Sequence, residues 1–448
     1  VFRSGKGDCL LVTGADGKRM LVDGGVFDAY EDHWAREISE IDKLDVVCIS
    51  HIHRDHIGGI LRMFDNEVGW RIHDFQQSLP AGLRSSGDTE PDLPRPPAVD
   101  AVWHNAFFEE TRENIFTSSV AANRRQRGID MARTLARSAA ILAGQPPGTP
   151  AYEAAQRNQF LAQSVGDAIQ VSRRIGASQL GIAVNPDYGG DFMVRKSDGA
   201  SLTIGGMGIT VLGPTSTELK KLLKVWNDWI DDHTSHLADL LRRHEDEAGR
   251  LPANSPQAVL NVARDRAAEL QAIALAGNQT VTPPNLASLI LLVEEAGKTV
   301  LMTGDADDPT IIEGLEKTGK MAGGGHFHVN VLKVPHHGAH NSYSDEFARR
   351  VTADNYVFCG DGEHHNPEPD VIDGYLEVLF NGRGGHPPAL ADNAKVKFWF
   401  NGSEQLSKPG NMQLWKDVDA KLDLWKSRQS SRFFYRRLTS GQSFTIDL

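Results

Sequence analysis

Residues 50–59 of this chain form the stretch that decides the fold, Ser50-His51-Ile52-His53-Arg54-Asp55-His56-Ile57-Gly58-Gly59. Four side chains of the metal-ligating type fall within six residues, directly after an apolar run at 45–49 that is typical of a strand. On a loop that leaves a strand, His51 and His53 can point to one side and share one cation. Asp55 and His56 come one loop turn later and can hold a second cation, because imidazole and carboxylate suit Zn²⁺ and similar ions. This order of ligands before Gly-Gly argues against a surface loop that is His-rich by chance.

Composition limits the class of protein. The chain has 448 residues, of which 40% are hydrophobic and 24% charged, as in a soluble globular protein of one large or two ordinary domains. No apolar run has the length of a membrane span, so no membrane contact is expected. The three cysteines lie far apart in sequence, which predicts small buried side chains rather than a disulfide framework. A cytoplasmic location is therefore expected.

The charge pattern bears on nucleic acid as a partner. A formal net charge of −12 argues against sequence-independent binding over the whole surface, because attraction to phosphates needs a basic footprint. A local basic groove stays possible. Residues 109–175 hold nine arginines against six acidic residues, which fits either a polyanion-binding patch or a solvated helix face. The run at 432–437 mixes aromatic and cationic residues and fits either base stacking or a final core strand.

Short apolar runs separated by turns predict strands. The Asp16-Gly17 turn between two such runs predicts an N-terminal hairpin, and further strands are predicted at 101–104, 202–204, 209–212, 289–293 and 299–302. Helical spacing over about 109–175 and 217–276 interrupts this pattern. We therefore expect an α/β core with two helical insertions: 1–108 (first half of the core), 109–178 (insertion), 179–215 (core strands), 216–280 (insertion) and 281–448 (second half of the core and a C-terminal extension).

Two later strand ends carry further potential ligands. The apolar run at 299–302 leads into Thr303-Gly304-Asp305, where a carboxylate after a glycine can reach a buried metal pair and bridge it. Another apolar run leads into Lys333-Val334-Pro335-His336-His337-Gly338. Together with the histidine motif at 51–56, three strand ends thus deliver metal-type side chains, which is how an α/β scaffold builds a site.

The order of these segments resembles the metallo-β-lactamase fold superfamily. The Asp23-Gly24-Gly25 turn, the histidine motif, the Thr303–Asp305 turn and the later histidines all match. The stretch at 333–338 is similar to the branch that contains the hydrolase domain of ComEC/Rec2 competence proteins. The resemblance covers about residues 5–65 and 285–375. It implies a four-layer αβ/βα sandwich, in which two mixed sheets pack face to face with helices outside, and it leaves the two insertions unexplained.

The resemblance also implies roles for the potential ligands. His51 and His53 would hold one metal, Asp55 and His56 the other, and Asp305 would bridge the two. Of the two late histidines, His337 takes the ligand position and His336 faces the substrate or supports the ligands, and these two roles are exchangeable. Asp55 would also orient the nucleophile while it ligates, and Asp23 would orient a ligand histidine or its loop.

The chain departs from the superfamily pattern at one ligand. Where a third histidine for the first metal is usual, the sequence has Asn285, and an amide oxygen is a weaker and harder ligand than imidazole. His104, on its short strand, is a candidate replacement, or else a packed core histidine. Lys333 is a candidate phosphate contact or a strand cap. His365, with its neighbour His364, is a candidate substrate contact or proton donor, or part of a plain helix-entry loop.

The resemblance implies a dinuclear metal-dependent hydrolase, with Zn²⁺ favoured and Mn²⁺ as the alternative. Two such ions lower the pKa of a bridging water from near 16 to about 7, so that no Ser or Cys nucleophile is needed. The branch favours a phosphodiesterase or nuclease acting on nucleic acid or a nucleotide. The alternatives are a hydrolase of a lactone, thioester or amide, and an effector subunit with a latent site. For each of these three functions, the two insertions are candidate surfaces for a homodimer or a protein partner.

Overall fold

The structure is a computed structural model and describes residues 1–84, 89–105, 167–221 apart from 169, 173, 177 and 178, and 285 together with 287–448. Most of the two predicted insertions, at 109–178 and 216–280, lies outside the described residues. So does almost all of the arginine-rich stretch at 109–175. The described residues form the core that surrounds these segments.

The first sheet has five strands in the order β1-β2-β3-β4-β5. β1 and β2 form the hairpin predicted around Asp16-Gly17, and the remaining neighbours pair in parallel. Their bounds are β1 (Leu10–Thr13), β2 (Arg19–Val22), β3 (Lys43–Cys48), β4 (Ala98–Trp103) and β5 (Ala183–Val184). A short helical run, Phe27–Ala29 continued by Tyr30–Trp34 and Ala35–Ile38, connects β2 to β3.

The second sheet has eight strands in the order β13-β12-β11-β10-β9-β8-β7-β6. β6 to β9 pair antiparallel and β9 to β13 pair in parallel. Their bounds are β6 (Ser201–Ile204), β7 (Met207–Gly213), β8 (Ile290–Glu295), β9 (Lys298–Met302), β10 (Phe327–Lys333), β11 (Val351–Phe358), β12 (Val396–Phe400) and β13 (Phe433–Arg437). The aromatic and cationic run at 432–437 is therefore the last strand of this sheet.

Helices cover the outer face of each sheet. α1 (Arg54–Ser78) packs on the first sheet, and α2 (Asp308–Lys317), α3 (Asp345–Arg350), α4 (Pro369–Phe380) and α5 (Met412–Arg428) pack on the second. Between the sheets lies a third apolar cluster, which joins residues such as Val46 and Trp103 to Ile209 and Leu291. The order helix, sheet, sheet, helix confirms the predicted αβ/βα metallo-β-lactamase fold.

Two further expectations concern the interior and the membrane. Cys9, Cys48 and Cys359 are buried and unpaired, as the sequence predicts. Among the helices of the described ranges, none is both long and apolar enough to cross a membrane.

The helix after the histidine motif begins earlier than expected. The sequence predicts a helix after Gly59, whereas α1 starts at Arg54 and so carries Asp55 and His56 on its first turn. Gly58 and Gly59 lie inside this helix because it crosses the turn after β2 at very short range. A Cβ on Gly59 would lie 2.0 Å from Gly24 O, and Gly59 N donates to Gly25 O at 3.1 Å. The glycines thus fix the first turn of α1 against the first sheet.

Candidate metal centre

The strand ends of both sheets meet at one edge of the sandwich. His51 and His53 come after β3, Asp305 after β9, and His336 and His337 after β10, the parallel neighbour of β9. Two backbone hydrogen bonds join these ends: Leu289 N donates to Ser50 O at 2.8 Å, and His336 N donates to Gly304 O at 3.2 Å. The three segments singled out in the sequence therefore converge.

A first ligand group consists of His51, His53 and Asp305. One ligand atom from each side chain lies within 4.8 Å of the others, and all three residues are buried. His51 Nε2 is 3.8 Å from Asp305 Oδ2. Burial and the neighbouring histidines lower the pKa of His51 well below its usual value, and burial lowers the pKa of His53 to about 3. Both rings are therefore neutral, which is the form that binds a metal ion.

A second ligand group consists of His56, His337, Asp305 and Asp8, all of them buried. The Nε2 atoms of His56 and His337 are 3.2 Å apart, and each lies 3.3 Å from Asp305 Oδ1. Asp55 lies beside this group, with Oδ2 3.8 Å from His337 Nε2. Imidazole nitrogens and carboxylate oxygens thus surround one small volume.

Asp305 is shared between the two groups through different oxygens. Its Oδ2 faces His51, whereas its Oδ1 faces His56 and His337. A carboxylate in this position can bridge two cations, which is the arrangement of a dinuclear site.

Contacts of their Nδ1 atoms give three of the candidate ligand histidines the same orientation. Ser50 Oγ donates to Asp23 Oδ2 at 2.6 Å and so can accept from His51 Nδ1 at 3.0 Å. Asp23 Oδ2 also accepts from His56 Nδ1 at 2.8 Å. His337 Nδ1 lies 3.1 Å from Asp8 Oδ1. The Nδ1 atoms of His51 and His56 are thus within hydrogen-bond distance of Ser50 and Asp23, and that of His337 lies against Asp8. Each Nε2 is directed toward Asp305, as in the carboxylate–histidine–metal arrangement.

The charge balance of the centre calls for cations. Four buried carboxylates lie here, Asp8, Asp23, Asp55 and Asp305, and the buried ammonium that contacts them within the described residues is Lys333. Burial would lower the pKa of His56 and of His337, but the carboxylates outweigh it. They raise the pKa of His56 well above its usual value and that of His337 to about 9. His56 and His337 therefore favour the protonated form. Their protons supply the positive charge that a bound metal ion would otherwise supply.

The residues present fit a pair of divalent ions. Within the part of the chain that the structure describes, His51 Nε2 and Asp55 Oδ1 are among the buried atoms that have no hydrogen-bond partner. Such atoms are costly to bury unless a ligand satisfies them. The mixed nitrogen and oxygen donor set suits Zn²⁺ or Mn²⁺ and does not by itself choose between them.

His336 and Asn285 lie on the side of the first group. His336 Nε2 is 3.7 Å from Asp305 Oδ2 and 3.2 Å from Asn285 Nδ2, while His336 Nδ1 is 3.1 Å from Ser342 Oγ. Burial lowers the pKa of His336, so its ring is neutral. The structure thus places an imidazole next to the asparagine that occupies the usual third-histidine position.

Three further candidate site residues, each with a structural alternative in the sequence, lie outside the two ligand groups. His104 is buried at the end of β4, where its backbone is bonded to Asn185, and it joins neither ligand group. Lys333 does not face solvent: its Nζ is 2.6 Å from Asp8 Oδ2 and 2.8 Å from Gly304 O, so it holds the centre together from within. His365 is exposed, whereas its neighbour His364 points toward Lys6, with His364 Nε2 3.1 Å from Lys6 Nζ.

Sequence reasoning missed Asp8. Its Oδ2 lies 2.6 Å from Lys333 Nζ and its Oδ1 3.1 Å from His337 Nδ1, so it can orient His337. Asp8 also belongs with His56, His337 and Asp305 to one group of potential metal ligands. The signal was a carboxylate in Gly5-Lys6-Gly7-Asp8, directly before the apolar strand β1. Gly7 permits the close approach, since a Cβ there would lie 1.5 Å from Asp55 O.

The fold and the site together define a metallo-β-lactamase fold with a candidate dinuclear metal centre. In agreement, residues 3–67 match the family model described as the metallo-beta-lactamase superfamily, whose members are mostly hydrolytic metalloenzymes. This match covers β1 to β3, Asp8 and the histidine motif. No curated protein matches the chain.

Proposed function

We propose that this protein is a dinuclear metal-dependent hydrolase that cleaves phosphodiesters, as a phosphodiesterase or nuclease. The observation that carries the proposal is the division of Asp305 between two ligand groups, with one oxygen turned to His51 and the other to His56 and His337. A shared carboxylate between two imidazole-lined volumes is suited to hold two ions at the short separation that hydrolysis uses.

Different residues of the chain would hold the two ions and act on the reacting groups. His51, His53 and Asp305 hold one ion, and His56, His337, Asp55 and Asp305 hold the other. When bound, such ions polarise the scissile group and make water acidic enough to act at neutral pH. Asp55 Oδ1 is available to orient the attacking water. The neutral His336 would first accept a proton from this water and then pass it to the leaving oxygen.

The phosphodiester substrate is supported by the resemblance of residues 333–338 to the ComEC/Rec2-like branch. Lys333 gives no support, because it is buried in ion pairs with Asp8 and Asp305. Support of a different kind comes from Lys6 at the edge of the centre, which places a cation near Asp55.

The proposed domain division keeps the two insertions at 109–178 and 216–280 as separate units around the core. We propose that they form a partner or homodimer surface, and that the protein acts in the cytoplasm. Comparing the mass in solution of the full chain with that of a chain whose residues 109–166 are replaced by a short linker tests the first part. An unchanged oligomeric state would count against that surface.

The activity is tested by stripping the protein with a chelator and adding back Zn²⁺ or Mn²⁺ before assaying bis(p-nitrophenyl) phosphate. We expect turnover to disappear on stripping and to return with metal. Parallel assays with p-nitrophenyl acetate and a simple lactone decide between bond types. If the reloaded protein cleaves these esters and no phosphodiester, the phosphodiesterase proposal is wrong.

A further inference from the structure

Lys6 stands at the edge of the metal centre in a position fixed by backbone packing. Gly7 lies directly against the carbonyl of Asp55, so the segment around it runs alongside the first turn of α1. From this segment Asp8 reaches inward to Lys333, whereas Lys6 Nζ lies 3.1 Å from His364 Nε2. Because Gly7 lies against Asp55 and His364 is a contact of the Lys6 ammonium, Lys6 lies between the first turn of α1 and the 363–365 loop.

The partners of Lys6 hold it without cancelling its charge. Burial, together with the charge of Lys6, lowers the pKa of His364 to about 4, so the ring is neutral and its Nε2 can accept a hydrogen bond from the ammonium. Glu363 Oε2 is 3.9 Å from Lys6 Nζ, but the other oxygen of Glu363 is bound by Lys408. Lys6 and Lys408 therefore share the carboxylate of Glu363. Both also act on Asp361, but burial and Glu363 raise the pKa of Asp361, which favours its neutral form.

The loop that carries His364 is held in an unfavourable backbone conformation. Seven non-glycine residues have a left-handed φ in the described part of the chain, and five of them surround the centre: Asp23, His336, His337, His364 and His365. A left-handed φ is unfavourable for a residue with a Cβ and persists only where the surroundings enforce it. The start of this loop is anchored at Asp361 O, which accepts from Trp415 Nε1 in α5 and from Asn411 Nδ2 directly before α5.

The exposed fraction of the side chain increases in the order Asp55, Lys6, Glu363 and Lys408. The side chain of Asp55 is 11% exposed, that of Lys6 17%, that of Glu363 29% and that of Lys408 72%. A substrate that extends from the buried centre toward solvent would therefore pass Lys6 first and Lys408 next. Cations along such a path suit an anionic substrate with more than one charged group.

We propose that Lys6, held by His364, forms a binding subsite for a second phosphate of the substrate, next to the group that reacts. This inference rests on the proposed function for the identity of the group that reacts. The subsite itself can be tested by binding alone, without turnover. Either the backbone of a nucleic acid or a free nucleotide with two phosphates supplies the required chemistry.

The test compares two chromogenic substrates, thymidine 5′-(p-nitrophenyl phosphate) with and without a 3′-phosphate. We expect the metal-loaded wild type to prefer the 3′-phosphorylated substrate by about tenfold in kcat/KM, mainly through KM, as fits one charge-assisted hydrogen bond at a half-buried position. Lys6→Met should bring the ratio of the two substrates close to one, and Lys6→Arg should keep part of the preference. Lys298→Met, at the opposite end of β9, should keep the wild-type ratio.

A binding measurement separates failure of the subsite from failure of the proposed activity. Calorimetry with thymidine 3′,5′-bisphosphate and thymidine 5′-monophosphate should show tighter binding of the bisphosphate to the wild type, and no such difference for a folded Lys6→Met variant. This result would support the subsite even if neither chromogenic substrate turned over. If wild type and Lys6→Met show the same preference for the ligand with the second phosphate, in either experiment, the subsite proposal is wrong.

A third arm identifies the source of the second phosphate. Oligothymidylate of eight residues is titrated against the bisphosphate with the same two proteins. Tighter binding of the oligomer that depends on Lys6 supports a nucleic acid backbone, and equal binding that depends on Lys6 supports a free nucleotide. If the oligomer and the bisphosphate each bind wild type and Lys6→Met with the same affinity, the subsite is contradicted.

Discussion

At the scale of single residues, Asp8 connects the metal centre to a buried ammonium. Burial would lower the pKa of Lys333, but Asp8 and Asp305 outweigh it and raise that pKa, so the lysine stays charged inside the protein. Asp8 in turn faces His337, whose Nε2 points to the shared volume. The stability of the fold and the geometry of the second ligand group therefore depend on the same carboxylate.

Replacement of Asp8 by alanine tests this link. Asp8→Ala should lower the free energy of unfolding by about 3–5 kcal/mol, because it leaves a buried charge without its partner. The affinity for the second metal ion should fall about 10–100-fold, because His337 loses its orienting contact. Urea titrations and metal titrations measure the two effects.

A double-mutant cycle with Lys333→Met is the control. If Asp8 and Lys333 form one buried pair, the double variant should be more stable than the sum of the single effects by about 1–3 kcal/mol. Strict additivity would show that the pair does not act as a unit.

His104 gives a pH prediction for a residue that the structure keeps out of the centre. Burial lowers its pKa to about 3, whereas an unfolded histidine titrates near 6.5. The unfolded chain therefore takes up the proton first, and stability is intact above about pH 6.5 and is lost as the pH falls below it. From pH 7 to pH 5 this group alone should remove about 2 kcal/mol.

The measurement is urea unfolding of wild type and His104→Leu at both pH values. The wild type should lose more stability than the variant by about that amount, and the variant should keep its metal content. A variant that loses a metal ion would make His104 a candidate ligand again.

At the scale of elements, the sequence predicts the strand ends better than it predicts the start of α1. Alternating and apolar runs bounded by Asp-Gly or Gly-Asp turns mark β1, β2, β8 and β9 correctly, because these patterns reflect burial on sheet faces. Two adjacent glycines suggest a loop by propensity, yet Gly58 and Gly59 are helical. Tertiary packing against Gly24 and Phe27 overrides the propensity, and sequence alone does not contain that contact.

This packing predicts opposite effects for two glycines of one helix. In a helix, replacing glycine by alanine ordinarily stabilises by about 0.5–1 kcal/mol. Gly69→Ala should do so, since the nearest atom to its Cβ would be 3.8 Å away. Gly59→Ala should instead destabilise by at least about 2 kcal/mol, because its Cβ would meet Gly24 O.

Thermal unfolding of both variants, with metal analysis of Gly59→Ala, decides the matter. Since the first turn of α1 carries Asp55 and His56, a shifted helix should also weaken the second ligand group. Two stabilised variants would show that α1 does not depend on this close contact.

At the scale of the whole molecule, the site joins residues from distant parts of the chain, and this limits what sequence can predict. The three strand ends were predictable because each carries its own local signal of an apolar run followed by ligands. Asp8 and the Lys6–His364 contact were not, because they depend on how β1 and the 363–365 loop meet in space. For His104 the sequence offered two interpretations. β4 lies beside β3 in the sheet, and only the position of the side chain shows that His104 belongs to neither ligand group.

If Asp305 holds two metal ions, its loss must change the metal content of the protein, which elemental analysis measures. Wild type, Asp305→Ala and Asp307→Ala are loaded with Zn²⁺ or Mn²⁺, desalted and analysed, and their turnover of bis(p-nitrophenyl) phosphate is recorded. Asp307 is the matched control, because it lies in the same loop but caps α2 by accepting from Thr310 N, so its loss should cost about 1 kcal/mol of stability and no metal. We expect about two ions per chain in wild type and Asp307→Ala, and less than about one in Asp305→Ala with turnover lowered at least about 1000-fold. A wild type that holds at most one ion, or an Asp305→Ala variant that keeps both, would contradict the account.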